Sequence, residues 1–446
     1  MARRRRNKIP QGLFKAEIES LSHEGRGVAH IDGKAVFIDN ALPDEEVEFN
    51  YVSTRAKFSE GVSENVIAAS EQRITPGCEY FGYCGGCSLQ HMSAEAQLEH
   101  KQNVLLEQFT HLGKVKPKTV LPPLTGPVFG YRTKARLGVK YVIKKERVLV
   151  GFREKRSPFI ADIKHCEVLH PDVGHKIADL QALIENLSIK DQIPQIEVAV
   201  SDNGVALVMR HLAEFNEDDL NQLKTFEQEH NFKFYLQPGG YDTVHRLNDN
   251  NNESDQSELF YRLEDHNLNI YFQPIDFTQI NVEINQQMIN LALELLDVNE
   301  DDEVLDLFCG VGNFTLPIAR KAKSVVGVEG DKGLVKRAKQ NAEKNKLDNV
   351  EFYAADLADF DQEYDFMKKS YNKILLDPAR TGAKEIIGAL NTKNVERIVY
   401  VSCNPATLAR DAGILVNEKK FKLKKAGVMD MFPHTAHVES IAVFTK

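Results

Sequence analysis

Residues 401–411 read VSCNPATLARD, which sets Cys403 at the end of an apolar, β-branched run and directly before Asn404-Pro405. Proline restricts the residue before it and stops a strand there. A thiol in that place has two readings. It is a buried packing residue, as free cysteine often is, or it is a nucleophile held at a strand end. The five other cysteines divide into two groups. Cys309 lies inside a glycine turn and reads as packing. Cys78, Cys84 and Cys87 have the spacing C-x5-C-x2-C, and Cys166 follows in DIKHCEVLH. Four thiolates suggest metal. C-x5-C is longer than the pairing usual for structural zinc, whereas an iron–sulfur cluster accepts looser spacing, so spacing alone leaves both open. The spacing is not the C-x3-C-x2-C that would let a cluster cleave a sulfonium cofactor.

A second set of chemical candidates is acidic. VLDLFCGVGNF, residues 304–314, is a strand, a glycine turn and a helix start. Gly310 and Gly312 let the backbone turn tightly and a ligand come close. Thr315 stands where the third glycine of a dinucleotide fingerprint would be, which argues against a pyrophosphate. The better fit is S-adenosylmethionine, whose sulfonium and amino group suit carboxylates. Asp306 precedes the turn. Glu329 ends the next strand, 19 residues after Gly310, near the distance at which an acid holds a ribose diol. Asp356 ends the third, where an acid can accept from an adenine amino group. A helix cap would explain any one of these acids; three at successive strand ends make an adenosine pocket. The fourth strand ends in LLDPAR, 375–380, without the Asn-Pro-Pro-aromatic motif of enzymes that methylate exocyclic nitrogens.

These residues need a scaffold, and the pattern predicts one. From about 280, helical and strand segments alternate, which means βαβ units and a mostly parallel, doubly wound sheet. We therefore expect a multidomain α/β chain with a C-terminal Rossmann-like methyltransferase domain over 271–446. Residues 71–270 form a mixed central domain that holds the cysteines. In it, Ser93 caps a helix over 93–111 that is available to pack on the catalytic domain. A polar, Asn-rich stretch at 248–256 reads as a surface connection. Residues 1–70 show short alternating strands with Asp-Gly and Leu-Pro-Asp turns, as in GRGVAHIDGKAVFIDNALPDEE.

Length alone implies two or three domains for 446 residues. The net charge of −9 argues against a nucleic-acid partner only until local patches are considered. RRRR at 3–6, YRTKARLGVKYVIKKER at 131–147 and FREKR at 152–156 interleave cations with aromatics. That suits phosphate contact and base stacking, or simply a solvated sheet face. The N-terminus lacks the apolar core of a secretory signal, and no apolar run approaches the ~20 residues of a membrane span. A cytoplasmic protein is expected, with no membrane partner.

The set DFTQIN, LDLFCGVGNFTLP, VVGVEG, LLDPAR, VSCNPATLARD and DMFPHTAHVE resembles the RNA uracil-C5 methyltransferase family. The N-terminal strands resemble a TRAM domain, a five-stranded OB-like barrel that binds RNA. Barrel and cysteines together narrow the resemblance to the subgroup acting on uracil 1939 of 23S ribosomal RNA, the transfer-RNA members being expected to lack both. The resemblance implies Cys403 as nucleophile and Glu439 as base. It also implies cofactor contacts at Gln279, Phe308, Asn313, Glu329, Asp356 and Asp377, and a [4Fe-4S] cluster on Cys78, Cys84, Cys87 and Cys166. The implied partner is 23S ribosomal RNA, bound by a monomer without an obligate protein partner. His434 and His437 flank the base and read as structural. The chemistry is coherent, because C5 of uracil attacks a sulfonium only after a thiolate has added to C6. A uracil stacked in folded RNA must first be extruded.

Overall fold

The computed structural model describes residues 9–248, 258–358 and 364–446. The basic run at 3–6 and all but the first residue of the Asn-rich stretch lie outside them. Residues 14–68 form one six-stranded sheet. Its two ends are Phe14–Glu17 and Ser20–Leu21, consecutive pieces of a single segment interrupted at Ile18 and Glu19. Because one segment supplies both edges, the sheet closes on itself around Ala29, Val36, Ile38, Val47 and Phe49. The split first strand is why six strands are observed where five were expected.

The central region is a second six-stranded sheet with two helices, Ile177–Asn186 and Glu217–His230, over one apolar core. The basic run 131–147 supplies its strand Lys134–Val142. Several of its cations are occupied within the protein: Arg136 by Glu197, and Lys145 and Arg147 by Asp162. Arg156 and Lys155 tie this unit to the barrel, at Asp39 Oδ2 (2.7 Å) and Asn40 Oδ1 (2.9 Å). The interleaved cations thus serve the fold as well as any RNA.

The third sheet has eight strands. In chain order they are β1 (Thr119–Val120), β2 (Glu303–Leu307), β3 (Ser324–Glu329), β4 (Val350–Ala354), β5 (Lys373–Leu376), β6 (Arg397–Ser402), β7 (Lys422–Met429) and β8 (Glu439–Thr445). They lie in the order β4-β3-β2-β5-β6-β8-β7-β1. β4 to β6 run parallel, and the order reverses between β2 and β5, the switch point where open α/β sheets bind ligands. β8 runs antiparallel to β6, with Ser402 opposite Ser440. Side chains alternate along each strand. Leu305, Leu307, Ile374, Leu376, Ile398 and Tyr400 face one core, and Val304, Leu375, Val399 and Val401 the other.

The helices that cover the first face include α1 (Ala94–Gln108) and a late helix, Pro405–Asn417. Ser93 Oγ accepts from Ala96 N at 3.2 Å as the α1 cap. Val104, Leu105 and Phe109 then enter the same core as Leu305 and Leu408. The π-helical turn Phe109–Gly113 that continues α1 presses so closely on the late helix that a Cβ on Gly113 would stand 2.5 Å from Ala409 O. An N-terminal helix is therefore built into the C-terminal core. Numbering the helices used below in chain order, α2 is Val282–Leu296, α3 is Lys332–Lys344 and α4 is the late helix Pro405–Asn417. Among the described residues no helix is long and apolar enough to cross a membrane.

Phe109 is fully buried at this joint. Phe109→Ala should cost about 3–5 kcal/mol, the usual range for emptying a buried phenylalanine site. Urea unfolding of the full chain, followed by far-UV circular dichroism, checks it; a loss near zero would mean that α1 is not part of the cooperative core.

Candidate active site

Four parallel strands deliver acids to one edge. Asp306 is the penultimate residue of β2 and is fully buried. Its Oδ2 accepts from Thr315 Oγ1 at 2.5 Å. Its Oδ1 is buried without a hydrogen-bond partner among the described residues, so it has room for one further donor. Thr315 interrupts the dinucleotide glycine pattern, and its hydroxyl has this structural use. The backbone then turns through Phe308 (φ 66°) and Gly310 (φ 55°). A positive φ is strained for phenylalanine, and hydrogen bonds from Phe308 N and Cys309 N to Val328 O hold it at 2.8 and 3.0 Å.

Glu329 ends β3, and its Oε2 accepts from Gly310 N at 3.1 Å, so the acid and the glycine turn touch. Asp356 is exposed two residues beyond β4, and its Oδ1 accepts from Ala358 N at 2.9 Å. Asp377 follows β5, with its amide donating to Leu307 O at 3.3 Å. Asn313 sits at the start of the next helical turn. Its side chain exchanges hydrogen bonds with Asn285 on α2 and accepts from Tyr261 OH at 2.8 Å. Gln279 is half-buried in the segment before α2.

Cys403 directly follows β6. Asn404 and Pro405 turn out to be the start of α4: Asn404 Oδ1 accepts from Ala406 N at 3.1 Å and its Nδ2 donates to Arg380 O at 3.0 Å, with Pro405 in the first turn. Asparagine as cap and proline at the first helical position are both favourable. Glu439 is the first residue of β8 and 3% exposed. Since β8 is antiparallel to β6, the beginning of β8 meets the end of β6, so Glu439 and Cys403 share the carboxyl edge of the sheet.

The electrostatics of this edge are dominated by burial and like charge. Burial pushes the Asp306 carboxyl up to about 8, with Asp377 and Glu329 adding to it. Burial and Glu329 push Asp377 up to about 7. Burial, then Asp377, holds Glu439 well above the usual carboxylate range. Cys403 rises to about 11 through burial, Glu439 and Asp377, with the Arg380 guanidinium opposing. Arg380 is thus the cation that favours the thiolate. Arg410 is turned to Asp411 Oδ1 and Thr381 O, at 2.8 and 2.9 Å. Arg380 stood in LLDPAR, but nothing local in the sequence indicated which strand end it would face.

Cys403 opens onto a cavity of about 510 Å³, within the range of small-molecule sites. The other walls come from His23 and Glu24 of the barrel, Gly86 and Ser88 of the cysteine loop, and His437 and Val438. His437 and His434 are both held below the ordinary histidine range, chiefly by burial, His434 at about 4. The His434 ring lies 4.5 Å from that of Phe129.

The cysteine loop meets the back of this cavity. Cys78, Cys84, Cys87 and Cys166 line a second, separate cavity with Phe81 and Phe152, and all are free thiols. Gly85 permits the tight fold: its N donates to Arg153 O at 2.8 Å, and a Cβ would stand 2.9 Å from that oxygen. No group of three or more His, Cys, Asp or Glu side chains among the described residues is close enough to hold a single metal ion. One tetrahedral zinc would need its sulfurs about 2.3 Å from one point. A cluster with one cysteine per iron would be held by four such thiolates.

A doubly wound sheet with acids at its switch point, and a thiol and a carboxyl on the same edge, defines a methyltransferase-type domain suited to covalent catalysis. Comparison with known proteins agrees. Residues 94–446 match the tRNA (Uracil-5-)-methyltransferase family model, and residues 14–61 the TRAM domain model. The chain therefore belongs to the uracil-5-methyltransferase family. It is 52% identical, over 99% of both chains, to the 23S rRNA (uracil(1939)-C(5))-methyltransferase RlmD of Francisella tularensis subsp. novicida (strain U112). The protein of the same name from Alcanivorax borkumensis is 52% identical over 99% of both chains. The crystal structure of the Pyrococcus abyssi tRNA (uracil-54, C5)-methyltransferase, in complex with S-adenosyl-L-homocysteine, has a TM-score of 0.73 at 23% identity. It covers 97% of this chain and 100% of its own. A protein named for transfer RNA thus shares the fold nearly end to end, and the expectation that such members lack the N-terminal barrel is corrected.

The raised thiol gives a direct check. In the cofactor-free protein, alkylation of Cys403 by iodoacetamide should quicken about tenfold per pH unit across roughly pH 7–10, since only the thiolate reacts. Peptide mass spectrometry isolates Cys403 from the other thiols. A plateau near pH 8 would show that the burial and like-charge effects do not hold.

Proposed function

We propose that this chain transfers a methyl group from S-adenosylmethionine to C5 of uracil 1939 in 23S ribosomal RNA. The carrying observation is that Cys403 and Glu439, far apart in sequence, share one sheet edge, with Cys403 and Val438, the residue before Glu439, lining one cavity. The choice of 23S ribosomal RNA rests on the full-length relatives of that name.

S-adenosylmethionine supplies an electrophilic methyl group. The Cys403 thiolate adds to C6 of the extruded uracil, and the electron pair moves to C5 and O4. C5 takes up the methyl group and becomes tetrahedral. Glu439, as carboxylate, removes the C5 proton, the C5–C6 double bond re-forms, and the thiolate departs. Gln279, Phe308, Asn313, Glu329, Asp356 and Asp377 are proposed to hold the cofactor. Asp377 raises Glu439 and Cys403 alike, which supports a place for it next to both cofactor and base. Cys78, Cys84, Cys87 and Cys166 are proposed to hold a [4Fe-4S] cluster that shapes the loop behind the pocket. The barrel of residues 1–70 and the central domain of 71–270 would hold the RNA around the target. The same chemistry on transfer RNA is a second reading, since the fold of the Pyrococcus enzyme is alike.

Incubation with unmodified 23S ribosomal RNA should yield 5-methyluridine at position 1939. A product on transfer RNA alone would favour the second reading, and no product on either would leave an RNA-binding protein without catalysis. Cys403→Ala should abolish turnover, and Glu439→Gln should accumulate a covalent RNA–protein adduct. Protein purified without oxygen should contain iron; zinc alone would overturn the cluster. Cofactor binding should also release protons near neutral pH. Asp306 and Asp377 are held protonated up to about 8 and 7, and an arriving cation favours their ionised forms. Titration calorimetry in buffers of different ionisation heat should show more release with S-adenosylmethionine than with uncharged-sulfur S-adenosylhomocysteine. Equal release would separate the acids from the sulfonium.

A further inference from the structure

The loop between β7 and β8, residues 430–438, supplies Thr435, Ala436, His437 and Val438 to the pocket wall and leads directly into Glu439. It has few bonds of its own. Thr435 N and Oγ1 donate to Phe432 O at 3.3 and 3.0 Å, and His437 N to Thr435 Oγ1 at 3.3 Å.

Its shape is imposed by segments more than 300 residues earlier. From α1, Lys101 Nζ donates to Asp430 Oδ1 at 2.7 Å and to Phe432 O at 3.0 Å. One helical turn earlier, Gln97 Oε1 accepts from His434 N at 2.9 Å, while its Nε2 donates to Leu89 O and Met92 O at 3.0 and 2.8 Å. His434 O accepts from Ser88 N and Leu89 N, at 2.9 and 3.0 Å. Tyr131 OH donates to Pro433 O at 3.0 Å. The loop thereby holds His434 at φ 65°, a conformation that a non-glycine residue keeps only when its surroundings over-determine it.

Lys101 is 1% exposed and Gln97 2%. A helix that only needed to pack would carry apolar residues there, as it does at Val104 and Leu105. A buried charge pair is seldom retained for stability alone, since apolar replacements often serve as well. Both side chains spend their polar atoms on the one loop that ends at Glu439 and on the cysteine loop beside it.

We propose that Lys101 and Gln97 are positioning residues. From one face of α1 they hold loop 430–438 so that its wall closes on the target base and Glu439 meets the C5 proton. This rests on Glu439 being the base. Neither residue touches the pocket chemistry itself, since neither lines the cavity.

The test uses the full chain, S-adenosylmethionine with a labelled methyl group, and 23S ribosomal RNA. Lys101→Met and Gln97→Leu should bind RNA within about twofold of wild type. They should lower kcat by about tenfold to a hundredfold, the scale of a small misplacement of catalytic groups. The step lost should be proton removal, so a covalent RNA–protein adduct already carrying the label should accumulate on denaturing gels. Lys101→Met leaves Asp430 buried without its cation. Where that variant fails to fold, Lys101→Met/Asp430→Asn removes both charges together and should behave alike. Wild-type turnover without adduct in the folded variants overturns the proposal, as does parallel loss of RNA and cofactor binding, which marks a merely structural clamp. Glu439→Gln serves as the control. If it forms no adduct, the reading of the base has failed. If it forms one and the α1 variants do not, the positioning role alone has failed.

Discussion

The site depends on a concentration of negative groups in a place that water barely reaches. Burial and neighbouring acids raise the Asp306, Asp377 and Glu439 carboxyls and the Cys403 thiol, with Asp377 acting on the other three and Glu329 on Asp306 and Asp377. Ionising any one of them makes the next harder to ionise. Such a pocket is poorly disposed toward anions and well matched to a ligand that brings positive charge. It also means that the thiol is not a standing nucleophile. Its activation must be coupled to what enters the pocket, with Arg380 already on the favourable side.

That concentration exists because of one topological departure. Five parallel strands would bring acids to the carboxyl edge, and Cys403 too, since each stands at or just beyond a strand's end. They would not bring Glu439, because the chain after α4 must return along the sheet. Placing β8 antiparallel between β6 and β7 puts the start of that strand at the edge where β6 ends. Residues of the last hairpin thereby join residues of the switch point without a further crossover. The arrangement leaves the β7–β8 loop projecting over the pocket, where its backbone polar groups require partners. α1, Tyr131 and the cysteine loop supply them.

How much of this was legible in the sequence follows from the range of the interactions. The acid–glycine turn at 306–312 is a local device, and its residue types announce it; Asn404-Pro405 reads in the sequence as a strand stop, and its use as a helix cap shows only in the structure. The βαβ alternation is also local, so the parallel sheet and the strand-end positions of Glu329 and Asp377 could be read. Closure of the barrel by a split strand could not, because Ile18 and Glu19 carry no breaker. The pairing of Arg136, Arg147 and Arg156 with distant acids was equally hidden, and the basic runs looked freer than they are. The nearness of Cys403 and Glu439 depends on a register between strands, which spacing does not encode; resemblance alone suggested it. Lys101 left a faint signal: a cation on the apolar stripe of Leu98, Val104 and Leu105, where a solvated lysine would not stand.

That signal bears on why the chain divides its labour as it does. The methyltransferase domain alone would leave β7 and one side of α4 without their cover and its last loop without anchors. α1 answers both needs, its apolar side by packing and its two polar residues by bonding. The cysteine loop extends the same clamp, since Ser88 and Leu89 hold the His434 carbonyl while Gln97 holds its amide. Whatever shapes that loop therefore reaches the pocket wall through two backbone hydrogen bonds and one side-chain amide. The N-terminal half is on this account more than an RNA-holding appendage: it completes the geometry of the site that the C-terminal half begins.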